Sequence, residues 1–171
     1  MTKPEKLKAR KAIARDALRQ IEKKKYRAAE MAYTRFALMK HRESIVGDVL
    51  GLDWKMDGKQ VQKRFLRQSF PACEVCVKGA LLLSRIRCFG GLDFAETIAH
   101  WGSEPSTALT DIFSQSQLDW MERIYEGYGP YAGPYSRIKS RRGRLIAILR
   151  KVADCGEFDP DTLPKKKVAA R

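Results

Sequence analysis

Cys73-Glu74-Val75-Cys76-Val77-Lys78-Gly79-Ala80-Leu81-Leu82-Leu83-Ser84-Arg85-Ile86-Arg87-Cys88-Phe89 carries an apolar residue at almost every position, and its reading decides the fold. Only Glu74, Lys78, Ser84, Arg85 and Arg87 interrupt it. A helix that is apolar nearly all round belongs at the centre of a fold. Pro71 suits the first turn of such a helix, where its missing N–H is no loss, and Gly90-Gly91 ends it. The stretch predicts a buried central helix over about 71–89.

The flanking segments also read as helices. From Glu5 to Lys40 there is neither Gly nor Pro, and Ala, Lys, Arg, Glu and Leu dominate, the residues that lose least on entering a helix. Leu7, Ala14, Leu18 and Ile21 recur at helical spacing, as do Ala29, Tyr33, Phe36 and Ala37. This predicts one long helix or two in line, the first part protruding or packed along only one edge. Gly47, Gly51 and Asp57-Gly58 punctuate the next stretch, with Val49, Leu50, Leu52 and Trp54 turned inward. A short helix fits Lys59 to Gln68 with Val61, Phe65 and Leu66 buried; strands stay an alternative in that region. Ser103 or Ser106 can cap a short helix running through Phe113. Ser114-Gln115-Ser116-Gln117 reads as a capping box opening a helix with Leu118, Met121 and Tyr125 on one face and a stop at Gly127. A loop with Gly129-Pro130-Tyr131 and Gly133-Pro134-Tyr135 leads to a last helix over roughly Arg137 to Asp154. That helix has a stripe of Leu145, Ile148, Leu149 and Val152 and ends at Gly156. The expected fold is all-α: a single-domain bundle of about six or seven helices. In it, residues 1–45 form a basic helical segment, 46–158 the helical core and 159–171 a basic disordered tail.

A chain of 171 residues, 44 % apolar and 32 % charged, is long enough for one domain with a real core. Its longest apolar runs fall far short of the ~20 residues of a membrane span. Met1-Thr2-Lys3-Pro4-Glu5-Lys6 has no apolar segment behind it, unlike a secretory signal. The expectation is a cytoplasmic protein, with Cys73, Cys76, Cys88 and Cys155 as reduced thiols. The net charge of +14 is unevenly placed: residues 1–45 carry +9, residues 46–130 carry −2 and residues 131–171 carry +7. Two concentrated basic blocks around a neutral middle make a directed field that draws polyanions.

Ala72-Cys73 running into Gly79-Ala80-Leu81-Leu82, Ile112-Phe113-Ser114 with Gln117-Leu118, and Arg144-Leu145-Ile146-Ala147-Ile148 ending at Gly156-Glu157-Phe158 form a set. Together they resemble uncharacterised small helical accessory proteins of phages and prophages. The resemblance covers residues 72–158, about half of the chain, at core and cap positions. It implies a phage or mobile-element setting, in which small non-enzymatic proteins often block host defence.

Cys73-Glu74-Val75-Cys76 is a C-x-x-C without the second pair that tetrahedral zinc needs, so two buried core residues are the plainer reading. A thiolate favoured by a helix N-terminus is the chemical alternative. His41 sits among charged residues and His100 precedes Trp101-Gly102; no nucleophile motif or phosphate-cradling glycine loop accompanies either. No catalytic residue, metal or cofactor is expected. The basic blocks are the stronger candidates. Lys8, Arg15, Arg19, Lys23 and Arg27 approach i, i+4 spacing, a row along one helix edge that suits phosphates on a nucleic-acid strand. Arg137, Lys139, Arg141, Arg142 and Arg144 open the last helix, where the helix dipole opposes positive charge. Tyr128, Tyr131 and Tyr135 stand beside them, as in surfaces that stack bases while holding phosphates or that anchor a protein interface. For each block the plain alternative is a solvated face, and for the tyrosines core packing. The expected function is that of a non-catalytic basic binding protein of phage type, acting on nucleic acid or on a host nucleic-acid-handling complex. Its partner would be nucleic acid, or a host protein or ribonucleoprotein with an acidic surface, and not a membrane. An anti-defence inhibitor is one form of this. The alternatives are a stand-alone, sequence-independent DNA or RNA binder and an enzyme of unrecognised type.

Overall fold

The computed structural model describes residues 1–29, 34–36, 60, 63, 73–89 and 109–164. The chain opens with α1, Lys3–Glu22, capped by Thr2. The Thr2 hydroxyl accepts from the Glu5 N–H at 3.4 Å, and the Glu5 carboxylate accepts from the Thr2 N–H at 2.6 Å. Two backbone donors that the first turn leaves open are thereby satisfied. Three short strands come next: β1 Tyr26–Ala28, β2 Thr34–Phe36 and β3 Cys73–Val75. They form one sheet in the order β1-β3-β2, with β1 parallel and β2 antiparallel to the central β3. Then come α2, Val77–Phe89; α3, Gln115–Glu126; a 3-10 segment over Gly129–Arg137, kinked at Gly133; and α4, Arg141–Cys155.

The protein is mostly helical, but it is not all-α. Four α-helices are defined among the described residues, so a count of six or seven is not supported. Continuous helix from Glu5 to Lys40 is overturned: α1 ends at Glu22, and Tyr26–Ala28 and Thr34–Phe36 are strands. Tyr26-Arg27-Ala28 runs buried, exposed, half-buried, and Cys73-Glu74-Val75 runs buried, half-buried, buried, the two-residue period of a strand. Three residues are too few for that period to stand out from a helical one. The central helix is where the sequence places it, but it starts at Val77 because Cys73–Val75 join the sheet.

Nor does α1 protrude. Ala9, Ile13, Ala14, Ala17 and Ile21 are buried against α2 and α4. The stripe looks thin because it is built from alanines, which let helix axes approach closely. Asp16 and Gln20 are buried with them. The Asp16 carboxylate accepts from Arg87 Nε on α2 at 3.1 Å and from Gln20 Nε2 at 3.2 Å. The other charged residues of α2 likewise find carboxylates on other elements. Lys78 Nζ, 1 % exposed, stands 2.6 Å from Glu122 and 3.7 Å from Asp119 on α3, and Arg85 bonds Asp111 at 2.7 Å.

The expected capping box at Ser114 and Gln117 is present, and Leu118, Met121 and Tyr125 are buried on one face of α3. Leu145, Ile148, Leu149 and Val152 are buried on α4. Gly127 (φ 82°) and Gly156 (φ 78°) end α3 and α4 in left-handed backbone. At the end of α1 that conformation falls instead on Lys24 (φ 56°), which costs a side-chain-bearing residue about 1 kcal/mol. Upstream of α3, the described end of the expected 103–113 helix is a turn, in which Phe113 N–H bonds Leu109 O at 2.8 Å. Gln60 and Lys63 are helical and exposed, within the helix expected over 59–68. The expectations at Tyr33, Ala37, His41, Gly47 to Trp54, Asp57-Gly58, Val61, Phe65, Leu66, Gly90-Gly91, His100, Ser103, Ser106 and residues 165–171 lie outside the described residues.

Candidate functional site

The second basic block divides. Helix α4 begins at Arg141 behind the Ser140 cap, so Arg137 and Lys139 precede it rather than open it. Arg144 is structural. Its Nε donates to Tyr125 O at 2.8 Å and its Nη1 to Ile138 O and Lys139 O at 3.0 Å each, closing the C-terminal end of α3 and the turn before α4. Arg141 Nε lies 3.5 Å from the Glu126 carboxylate. Arg137, Lys139 and Arg142 are exposed, with no side-chain partner among the described residues.

The tyrosines divide as well. Tyr135 is wholly buried, stacks at a tilt on Phe158 with centroids 5.7 Å apart, and donates its hydroxyl proton to Thr162 O at 3.0 Å. It cannot serve as a stacking platform. Tyr128 is 60 % exposed beside the same turn. The Tyr131 side chain lies outside the described part.

In the first block Lys8, Arg15, Arg19, Lys23 and Arg27 are all exposed. On α1 the first three face away from the buried Ile13, Ala17 and Gln20. Arg19 approaches Asp16 at 3.4 Å while staying open to water, a contact worth little at a surface. Arg27 stands in register with Glu74, which is itself in register with Arg35 on β2. Arg10, by contrast, is internal: its Nε donates to Ile112 O at 2.6 Å, and its guanidinium lies 5.6 Å over the Phe113 ring.

What the sequence could not show is that the two blocks lie at the same end of a helix pair. Gly156, at the end of α4, lies against Leu7 and Lys11, and its carbonyl accepts from Arg10 at 3.5 Å. The helices therefore run antiparallel, and over about 22 Å of each the start of α4 returns to the end of α1. Tyr125 ties the same end together. Its hydroxyl donates to Ala29 O at 2.6 Å just past β1, with Val75 O at 3.2 Å, while its own carbonyl holds Arg144. One end of the molecule thus carries Lys23, Lys24 and Arg27 from one block and Arg137, Lys139 and Arg142 from the other. Glu22, the last residue of α1, is an exposed acid at this end, and Glu74 lies in register with Arg27. Lys24 is the member that helix-row spacing missed; the lysine run 23–25 was the available signal.

Cys73 and Cys76 are core residues, one in β3 and the other just ahead of α2 rather than both on a helix. Gly79 N–H points at the Cys76 sulfur at 3.5 Å, yet burial outweighs this and pushes the thiol up to about 12, the reverse of an activated thiolate. Among the described residues no three His, Cys, Asp or Glu side chains group as metal ligands, and no helix is long and apolar enough to cross a membrane. Comparison with protein-family models, curated proteins and solved structures finds no match. The class defined by fold and surface is a mostly helical protein with a three-stranded sheet and a basic end.

Proposed function

We propose that this chain is a non-catalytic binding protein whose basic end grips the phosphate backbone of nucleic acid without reading sequence. The observation behind this reading is that exposed cations from both chain ends lie at one end of the paired helices, Arg137, Lys139 and Arg142 with no side-chain partner among the described residues, and that Lys8, Arg15 and Arg19 continue the track along α1. Arg137, Lys139 and Arg142 have no internal use among the described residues, which is how a recruited anion site differs from structural arginines such as Arg144. Burial of Tyr135 takes one of the three rings away from base stacking, and the target proposed is the backbone, which carries the phosphates whatever the sequence. The resemblance to phage accessory proteins adds a mobile-element setting to the proposal.

A second reading is favoured by exposed Tyr128 beside the same end, since tyrosine next to arginine anchors protein interfaces. There the partner is an acidic surface of a host nucleic-acid-handling complex and the chain is an anti-defence inhibitor. Fluorescence anisotropy with random-sequence duplex across a salt series separates the two. Backbone binding gives a log–log slope of about −0.9 per phosphate neutralised. The combined Arg137→Glu, Lys139→Glu and Arg142→Glu variant loses at least about tenfold in affinity, about 1.4 kcal/mol, with an unchanged circular dichroism spectrum. Absence of binding to duplex and single strand at low salt ends the first reading. A complex with one host protein that survives nuclease treatment supports the second.

A further inference from the structure

We infer that Lys24 is a direct phosphate-contacting residue of the basic end, held in left-handed backbone to project its charge there; the inference rests on the nucleic-acid reading above. The end of α1 is a Schellman turn: Lys24 N–H bonds Ile21 O at 3.0 Å and Lys25 N–H bonds Gln20 O at 2.8 Å. That turn puts its left-handed position on Lys24, at φ 56°. Glycine takes this conformation without steric cost, and the chain uses glycine for it at the ends of α3 and α4, Gly127 and Gly156. Among the described residues Lys24 is the one non-glycine at positive φ.

The helix dipole does favour a cation near a helix C-terminus, but Lys23 and Lys25 flank the position and supply that charge already. Lys24 is exposed and has no side-chain partner among the described residues. It occupies the left-handed position of the turn, between the end of α1 at Glu22 and β1, which carries Arg27. A strained lysine with no side-chain partner among the described residues, at the end that carries both basic blocks, marks a residue kept for what it meets in solvent.

The test compares wild type, Lys24→Gly and Lys3→Asn by thermal melting and by salt-dependent binding to a random-sequence duplex. Lys3 is an exposed lysine at the far end of α1, so its variant removes the same charge away from the site. Lys24→Gly melts at or above the wild-type temperature while its affinity falls about fivefold and its salt slope becomes shallower by about one. Lys3→Asn changes neither by as much. Wild-type affinity in Lys24→Gly overturns the assignment and leaves the nucleic-acid reading standing, as does an equal loss in Lys3→Asn. A lowered melting temperature in Lys24→Gly makes the lysine structural and also overturns it. Failure of wild type to bind at all overturns both.

Discussion

Arg144 and Arg142 are two residues apart and have opposite fates. The first satisfies three carbonyls, while the second is exposed with no side-chain partner among the described residues. Position in a basic run does not separate them; a backbone turn with unpaired acceptors does. Lys78 gives the same lesson inside the core. Its ammonium is buried between Glu122 and Asp119, so removing one partner differs from removing the cation. Glu122→Gln leaves the charge with the more distant Asp119 and lowers stability by about 2–3 kcal/mol, whereas Lys78→Met is near neutral or stabilising. Urea midpoints of the two variants check this. Equal losses would mean that Lys78 acts through packing rather than charge.

At the scale of elements, the start of α4 governs how Arg137, Lys139 and Arg142 are presented. Ser140 Oγ accepts from Gly143 N–H at 3.0 Å, and a Cβ on Gly143 would lie 2.7 Å from Ile138 Cγ2 and 2.9 Å from Ser140 Oγ. Alanine gains about 1 kcal/mol of helix propensity over glycine. Crowding costs about 1–3 kcal/mol, and the weakened cap adds about 1 kcal/mol at most. Gly143→Ala is therefore expected to lose about 1 kcal/mol net, read as a lower urea midpoint with unchanged slope. A gain in stability would show that Ile138 moves aside without cost. The element most readily misjudged from sequence is α1. Its alanines look like filler and its exposed row like an unpacked helix, yet it is central to the core.

For the molecule as a whole, the buried acids dictate the alkaline response. Burial pushes the Cys88 thiol up to about 11 and that of Cys76 up to about 12, and it lifts the hydroxyls of Tyr26, Tyr125 and Tyr135 above their ordinary range. The folded chain keeps these protons to higher pH than the unfolded chain does. Their contribution is thus complete below the ordinary thiol value of about 8.5 and is lost as pH rises through the folded values. Melting temperature is expected to be level up to pH about 8.5 and to fall between about 9 and 11, with a shallower fall in Cys88→Ala. A flat profile through that interval would contradict the burial of these groups.

By itself the sequence determined the central apolar helix, the capping box at Ser114, the stripes of α3 and α4, their glycine stops and the two basic blocks. Each of these is a local periodicity or a local charge excess, and local patterns survive without knowledge of neighbours. The three-residue strands did not survive that way, because strands so short are specified by pairing across distant residues such as Tyr26 with Cys73. Which cations face solvent was likewise settled by tertiary contacts, since a guanidinium is drawn inward wherever an unpaired carbonyl or carboxylate lies within reach. The placing of the two blocks at one end depends on antiparallel packing of helices more than a hundred residues apart, a relation that no window of sequence contains.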